Sequence, residues 1–172
     1  MAEESGCTMA APDPASMRTW RDLMFSHSAI LGKMGDDLQE ATGLTLAQYD
    51  VLLRLHEAPE NTLRIGEIAK GVLVTTSGLT RVVDRLEQGG LVTRLRVASD
   101  RRGVRVRLTE SGAATLRVAS DVHADGIRRY FTELIRPDEA EALARFFARL
   151  DAAHSKTQPV ALEMPAFAAS PR

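Results

Sequence analysis

Between Val74 and Thr109 a helical pattern runs straight into two short alternating segments, and that order leaves few folds open. Leu79, Val82, Val83 and Leu86 recur at helical spacing, predicting an amphipathic helix with one buried face and one free face. Thr75 is its expected N-cap, and Gly89-Gly90 its left-handed exit. Segments 91–97 and 104–108 alternate apolar and polar residues around Ser99-Asp100-Arg101-Arg102-Gly103, as the half-buried strands of a hairpin do. On that alternation Leu95, Val97, Val104, Val106 and Leu108 face inward and the arginines outward.

Charge is concentrated in the same segment. From Val74 to Leu108 eight arginines (81, 85, 94, 96, 101, 102, 105 and 107) stand against Asp84, Glu87 and Asp100, whereas the whole chain carries a net charge of −1. This concentration suits a polyanion, because each neutralised phosphate releases counterions. An arginine-rich hairpin that merely meets solvent is the alternative. The start of the helix favours the first reading. Thr76, Ser77, Gly78, Thr80 and Arg81 are small or hydrogen-bonding residues that can approach a base edge closely, which makes this the reading end.

With these residues in view, the chain resembles the MarR (multiple antibiotic resistance regulator) family across residues 20–150. The resemblance is carried by Thr75-Thr76-Ser77-Gly78-Leu79-Thr80-Arg81-Val82-Val83-Asp84-Arg85-Leu86, by Gly90-Leu91-Val92, and by the Asp-x-Arg pair Asp100 and Arg102 with Val106 and Leu108-Thr109 behind it. It implies a dimeric winged helix-turn-helix transcription factor. Arg102, at the wing tip, would enter a minor groove, and Asp100 would orient a recognition-helix arginine, with Arg85 the candidate. A guanidinium on a hairpin tip suits a narrow, electronegative groove. The expected DNA-binding set is Thr75, Thr76, Ser77, Gly78, Thr80, Arg81, Arg85, Asp100, Arg101, Arg102 and Arg105.

The fold class expected is mainly α with a small β-hairpin wing (α+β): a winged helix-turn-helix DNA-binding lobe, about 45–109, plus N- and C-terminal helices forming a dimerisation lobe. Residues 1–15 read as a disordered N-terminal segment, 16–154 as the folded domain, and 155–172 as a mostly disordered tail. The first helix, expected over 16–42, carries Trp20, Met24, His27, Leu31, Met34 and Leu38 as one stripe and ends at Gly43. Thr45 and Gln48 form a capping box for the second, with Leu46, Tyr49, Leu52, Leu53 and His56 inward. Residues 59–61 close it, 62–64 suit a short strand beside the wing, and 65–70 suit the supporting helix. A long helix from Thr109 is expected to reach residue 134 or 135, and Pro137 with its following carboxylates starts the last one. Its apolar face, Leu143, Phe146, Phe147 and Leu150, has no nearby domain to cover it, so a partner chain is expected. A twofold homodimer would present two recognition helices to double-stranded DNA with a pseudo-palindromic operator, its half-sites about 10 base pairs apart.

Nothing resembles a signal peptide or a membrane span, so no membrane partner and a cytoplasmic location are expected. Cys7 is the only cysteine. Some members of the resembled family sense peroxide through a first-helix cysteine, and here that region reads Phe25, Ser26 and His27. The resemblance also implies a small aromatic or anionic ligand between the dimerisation helices and the DNA-binding lobe. His27, Tyr49, His56 and His123 are the candidates to line that space, although such a residue in an apolar stripe is more often an ordinary core or interface residue than a ligand contact. No metal-ligand spacing is present and no cofactor is expected. The chain shows no nucleophile elbow, phosphate loop or paired catalytic motif, so it is not read as an enzyme. The reading is therefore a ligand-released repressor, with a non-specific architectural DNA-binding protein as the alternative.

Overall fold

The computed structural model describes residues 13–70, 72, 76–96 and 104–154. Helix α1 (Pro14–Thr42) starts two residues before the expected Ser16. Asp13 caps it, accepting hydrogen bonds from the backbone N–H and the hydroxyl of Ser16 at 2.9 and 3.0 Å, and Pro14 fills a first-turn position that needs no N–H. Gly43, at φ 74°, ends it by donating to the Gln39 carbonyl at 2.9 Å. Helix α2 (Leu46–Glu57) opens with the expected capping box: Gln48 N–H donates to Thr45 Oγ1 at 3.3 Å, and Thr45 N–H to Gln48 Oε1 at 2.9 Å.

Helix α2 is the centre of the core. Tyr49, Val51, Leu52, Leu53 and Leu55 are all buried, so the helix is enclosed on nearly every side rather than along one stripe. His56, expected inward, is exposed. It sits in the last turn, where the chain leaves the core for the 3-10 turn Pro59–Asn61. Strand β1 (Thr62–Arg64) and helix α3 (Ile65–Ala69) follow, and then helix α4 (Thr76–Gln88). Leu79, Val83 and Leu86 of α4 pack with Ile68, Leu52 and Leu116 in a single cluster.

Helix α4 ends on a two-bond Schellman turn. Leu91 N–H donates to the Leu86 carbonyl at 2.9 Å, Gly90 N–H to the Glu87 carbonyl at 2.9 Å, and Gly90 adopts φ 70°. Strands β2 (Val92–Arg96) and β3 (Val104–Leu108) form the hairpin, and β1 adds to its other side, giving the antiparallel order β1-β3-β2. The register pairs Val92 with Leu108, Arg94 with Val106, and Arg96 with Val104.

That register corrects the expected faces of the hairpin. Directly paired residues share a face, so Val92 and Arg94, not Leu95, lie on the side of the buried Val106 and Leu108. Leu91 belongs to the helix exit, and the strand phase therefore starts at Val92. Val104, expected inward, is 37% exposed at the end of the hairpin away from the Val92–Leu108 pair, and Val97 lies outside the described residues.

Helix α5 (Glu110–Ile127) is capped by Thr109, whose hydroxyl accepts from Gly112 N–H at 2.9 Å. It continues as one wide π-type turn over Arg128–Thr132 instead of running unbroken to 134 or 135, and the last helix is α6 (Pro137–His154). Helices α1 and α5 cross closely where Gly126 lies against Met34, and Asp37 Oδ2 accepts from both Arg129 Nη2 (2.9 Å) and Tyr130 OH (2.8 Å). Beyond this crossing the helices lose their cover. Trp20 is 58%, Phe25 69% and Leu134 74% exposed, and Met24, Phe146 and Phe147 are exposed with them. Of the stripe expected along α1, only Met34 and Leu38 are buried. Among the described residues no helix is long and apolar enough to cross a membrane.

Candidate nucleic-acid interface

Helix α4 and strand β3 carry the described residues of the expected DNA-binding set. Helix α4 buries Leu79, Val83 and Leu86 and turns the opposite side outward, with Arg81 and Arg85 one turn apart and both exposed. Thr80 is exposed and Gly78 half-buried in the same opening turns. Thr76 and Ser77 occupy the first two positions of the helix. Arg81 and Arg85 border a shallow cleft of about 150 Å³ with Thr45 and Gln48, at the start of α2.

Arg105 and Arg107 of β3 are exposed and lie on the outer face of the sheet. No ion pair with another described residue engages Arg81, Arg85, Arg105 or Arg107, so their charge is available to a polyanion. Arg94 behaves differently. Its guanidinium reaches back to α4, with Nη2 2.6 Å from Asp84 Oδ1 and Nη1 on Glu87 Oε2, while its backbone N–H donates to Glu87 Oε1 at 3.0 Å. Burial opposes its charge, and the two carboxylates outweigh that and hold it above the ordinary arginine value. Sequence reasoning had counted Arg94 among the outward arginines. Thr75, Asp100, Arg101 and Arg102 lie outside the described residues.

Two of the four ligand candidates come together. The Tyr49 and His123 rings stack at 4.7 Å between centroids, 29° apart in plane, where α2 meets α5. Burial pushes the Tyr49 phenol up and the His123 imidazole down, so both are neutral at pH 7. One turn before His123 on α5 lies Ser120, which sequence reasoning missed; its spacing of three on one helix was the available signal. Ser120 Oγ and His123 Nδ1 are both buried; His123 Nδ1 has no hydrogen-bond partner among the described residues, and Ser120 lies close enough to the Tyr49 hydroxyl to offset part of the upward shift from burial. His27 and His56 are exposed elsewhere, on α1 and at the end of α2, and do not join this pair. Asp50, beside Tyr49, has its carboxyl raised by burial.

Comparison with known proteins bears directly on this geometry. The MarR family model matches residues 42–103, the stretch holding α2, α3, α4 and the start of the wing. An organic hydroperoxide resistance transcriptional regulator of Bacillus subtilis (strain 168) is 33% identical over 100 residues, 58% of this chain and 67% of that protein. The chain belongs to the MarR family. Two MarR family regulators of Streptomyces coelicolor share its fold. Sco3205, solved in complex with DNA, has a TM-score of 0.77 and 26% identity, covering 85% of this chain and 96% of that one. AbsC has a TM-score of 0.75 and 27% identity, covering 83% and 96%. This MarR family member is thus a DNA-binding transcriptional regulator of winged helix fold, not an enzyme.

Proposed function

We propose that the protein is a cytoplasmic homodimeric repressor that binds a pseudo-palindromic duplex and is released by a small aromatic or anionic ligand. The reading rests most on one observation: the outward side of α4 carries two exposed arginines with no ion pair among the described residues, beside a small-residue helix start, in a fold that a relative uses while bound to DNA. Thr76, Ser77, Gly78 and Thr80 read base edges, and Arg81, Arg85 and Arg105 hold the backbone. On the same reading Arg102 enters the minor groove from the wing, and Thr75, Asp100 and Arg101 belong to the DNA-contacting set.

The partner is a second copy of the chain. Trp20, Met24 and Phe25 of α1 and Phe146 and Phe147 of α6 are large apolar side chains left exposed on the two terminal helices, and a second copy would cover them. For the ligand, Tyr49 and His123 are the favoured contacts, because His123 Nδ1, buried with no partner among the described residues, gives a polar ligand something to bind. A ligand that widens or narrows the spacing of the two α4 helices opposes simultaneous fit to both half-sites, and DNA then opposes the ligand equally. Selection of bound sequences from a random duplex library tests the reading. An enriched inverted repeat supports it, and an enriched single half-site or no enrichment refutes it.

A further inference from the structure

The interface presents an anomaly for a protein that binds phosphates. Asp84 and Glu87 put two carboxylates on the helix that faces DNA, where each opposes a polyanion. Both are tied to one residue of the wing. Arg94 stands on β2, an edge strand of the sheet, and it pairs with Val106 on the buried face. Its backbone N–H turns away from β3 and is satisfied by Glu87 Oε1 at 3.0 Å, while the same carboxylate takes one arm of the guanidinium. The other arm meets Asp84 Oδ1 at 2.6 Å. Arg94 is only 25% exposed, against 46% for Asp84 and 37% for Glu87, so the cation is the sheltered member and points into the protein.

We propose that Arg94 is a positioning residue for DNA recognition: its forked guanidinium latches the wing strand β2 to the second half of α4, so that helix and wing meet the duplex as one rigid reader. The latch is planar and two-armed, which arginine supplies and lysine does not. It joins α4 and the wing, which under the proposed reading contact different grooves at once, at the place where the hairpin leaves the helix. A wing that pivots against α4 still finds phosphates but no longer fits helix and tip to one register. The ligand response would then move the whole lobe against α1 and α5, with no bending inside it. This inference rests on the proposed sequence-specific reading of DNA.

The test is anisotropy titration of full-length wild type, Arg94→Met, Arg94→Lys and Asp84→Asn against the selected duplex and its scramble over a salt series. Circular dichroism confirms that each variant is folded at the assay temperature. The latch predicts that Arg94→Met weakens selected-duplex binding about tenfold or more and leaves the scramble within about twofold, with an unchanged salt slope. Arg94→Lys and Asp84→Asn lie between. A salt slope reduced by about one, with both duplexes weakened together, makes Arg94 a phosphate ligand and overturns the proposal. Unchanged discrimination in Arg94→Met also overturns it. If Arg94→Met does not fold, Asp84→Asn and Glu87→Gln decide by the same ratio. Should wild type itself show no selectivity, the functional reading fails separately, and amide exchange judges the latch. Faster exchange in β2 and in the end of α4 in Asp84→Asn supports it, and unchanged exchange there refutes it.

Discussion

Gly112→Ala should unfold the protein several degrees early, although alanine is the better helix former. Gly112 is the third residue of α5, buried against the turn that ends α4. A Cβ there would lie 2.1 Å from the Leu91 carbonyl oxygen, 2.8 Å from Leu108 Cδ1 and 3.0 Å from the Leu91 carbonyl carbon. The first of these is a backbone atom, so no change of rotamer relieves it. Nor can the carbonyl retreat freely, because it accepts from Thr109 N–H at 3.1 Å and Thr109 Oγ1 at 3.0 Å. Overpacking of this kind costs about 1–3 kcal/mol, and a weakened hydrogen bond adds about 1 kcal/mol. The helix propensity gained, at most about 1 kcal/mol, offsets part of this. The net is a loss of about 1–3 kcal/mol, or roughly 3–10 °C in Tm for a chain of this size. Thermal unfolding followed by circular dichroism at fixed protomer concentration measures it, with Gly66→Ala as control, since a Cβ at Gly66 meets nothing within 4 Å. Gly112→Ala melting at or above wild type would refute the tight crossing of α5 over the α4 exit.

Burial holds His123 below its ordinary value of 6.5, so the unfolded chain takes up a proton that the fold resists. Its contribution to stability is full above about pH 6.5 and is lost as pH falls below it, and His123→Gln should flatten that part of a urea-midpoint profile. An equal acid dependence in the variant would remove His123 as the cause. Thr76→Ala and Ser77→Ala should alter base preference in a repeated selection and leave the salt slope unchanged; a changed slope alone would make them backbone contacts. Arg102→Ala should weaken operator binding by at least tenfold with the dimer intact in light scattering, and dissociation of the dimer would show that the wing has been misplaced.

Local signals in the sequence were reliable where one residue type does one job. Thr45 with Gln48, Gly43, Gly90 and Pro137 mark helix ends because capping and left-handed exits depend on few neighbours. Strand β1 was legible for the same reason, lying between Asn61 and Ile65 with a partner strand already in view. Failures arose where tertiary context decides. In β2 the sequence Val92-Thr93-Arg94-Leu95 can be phased either way, and the phase was chosen by the pairing of Val92 with Leu108. Arginine on an inward face contradicts pattern reasoning until its two carboxylate partners are seen. The start of α1 falls inside the segment 1–15 that reads as disordered, because Pro14 can equally serve a loose chain or a first helical turn, and the Asp13 cap decides for the helix. On the candidate site, the face of α4 could be read from periodicity alone. The stacking of Tyr49 on His123 could not, since it depends on how α5 lies across α2.

Specific recognition of DNA by a dimer is the central claim, and its most direct measurement is the ratio of two affinities at near-physiological salt. Anisotropy titration of the selected inverted repeat against a scrambled duplex of the same length and composition gives it. The account predicts a ratio of about a thousandfold or more, with two protomers per repeat. Equal affinities that collapse together as salt rises would contradict it and leave a non-specific architectural binder in its place.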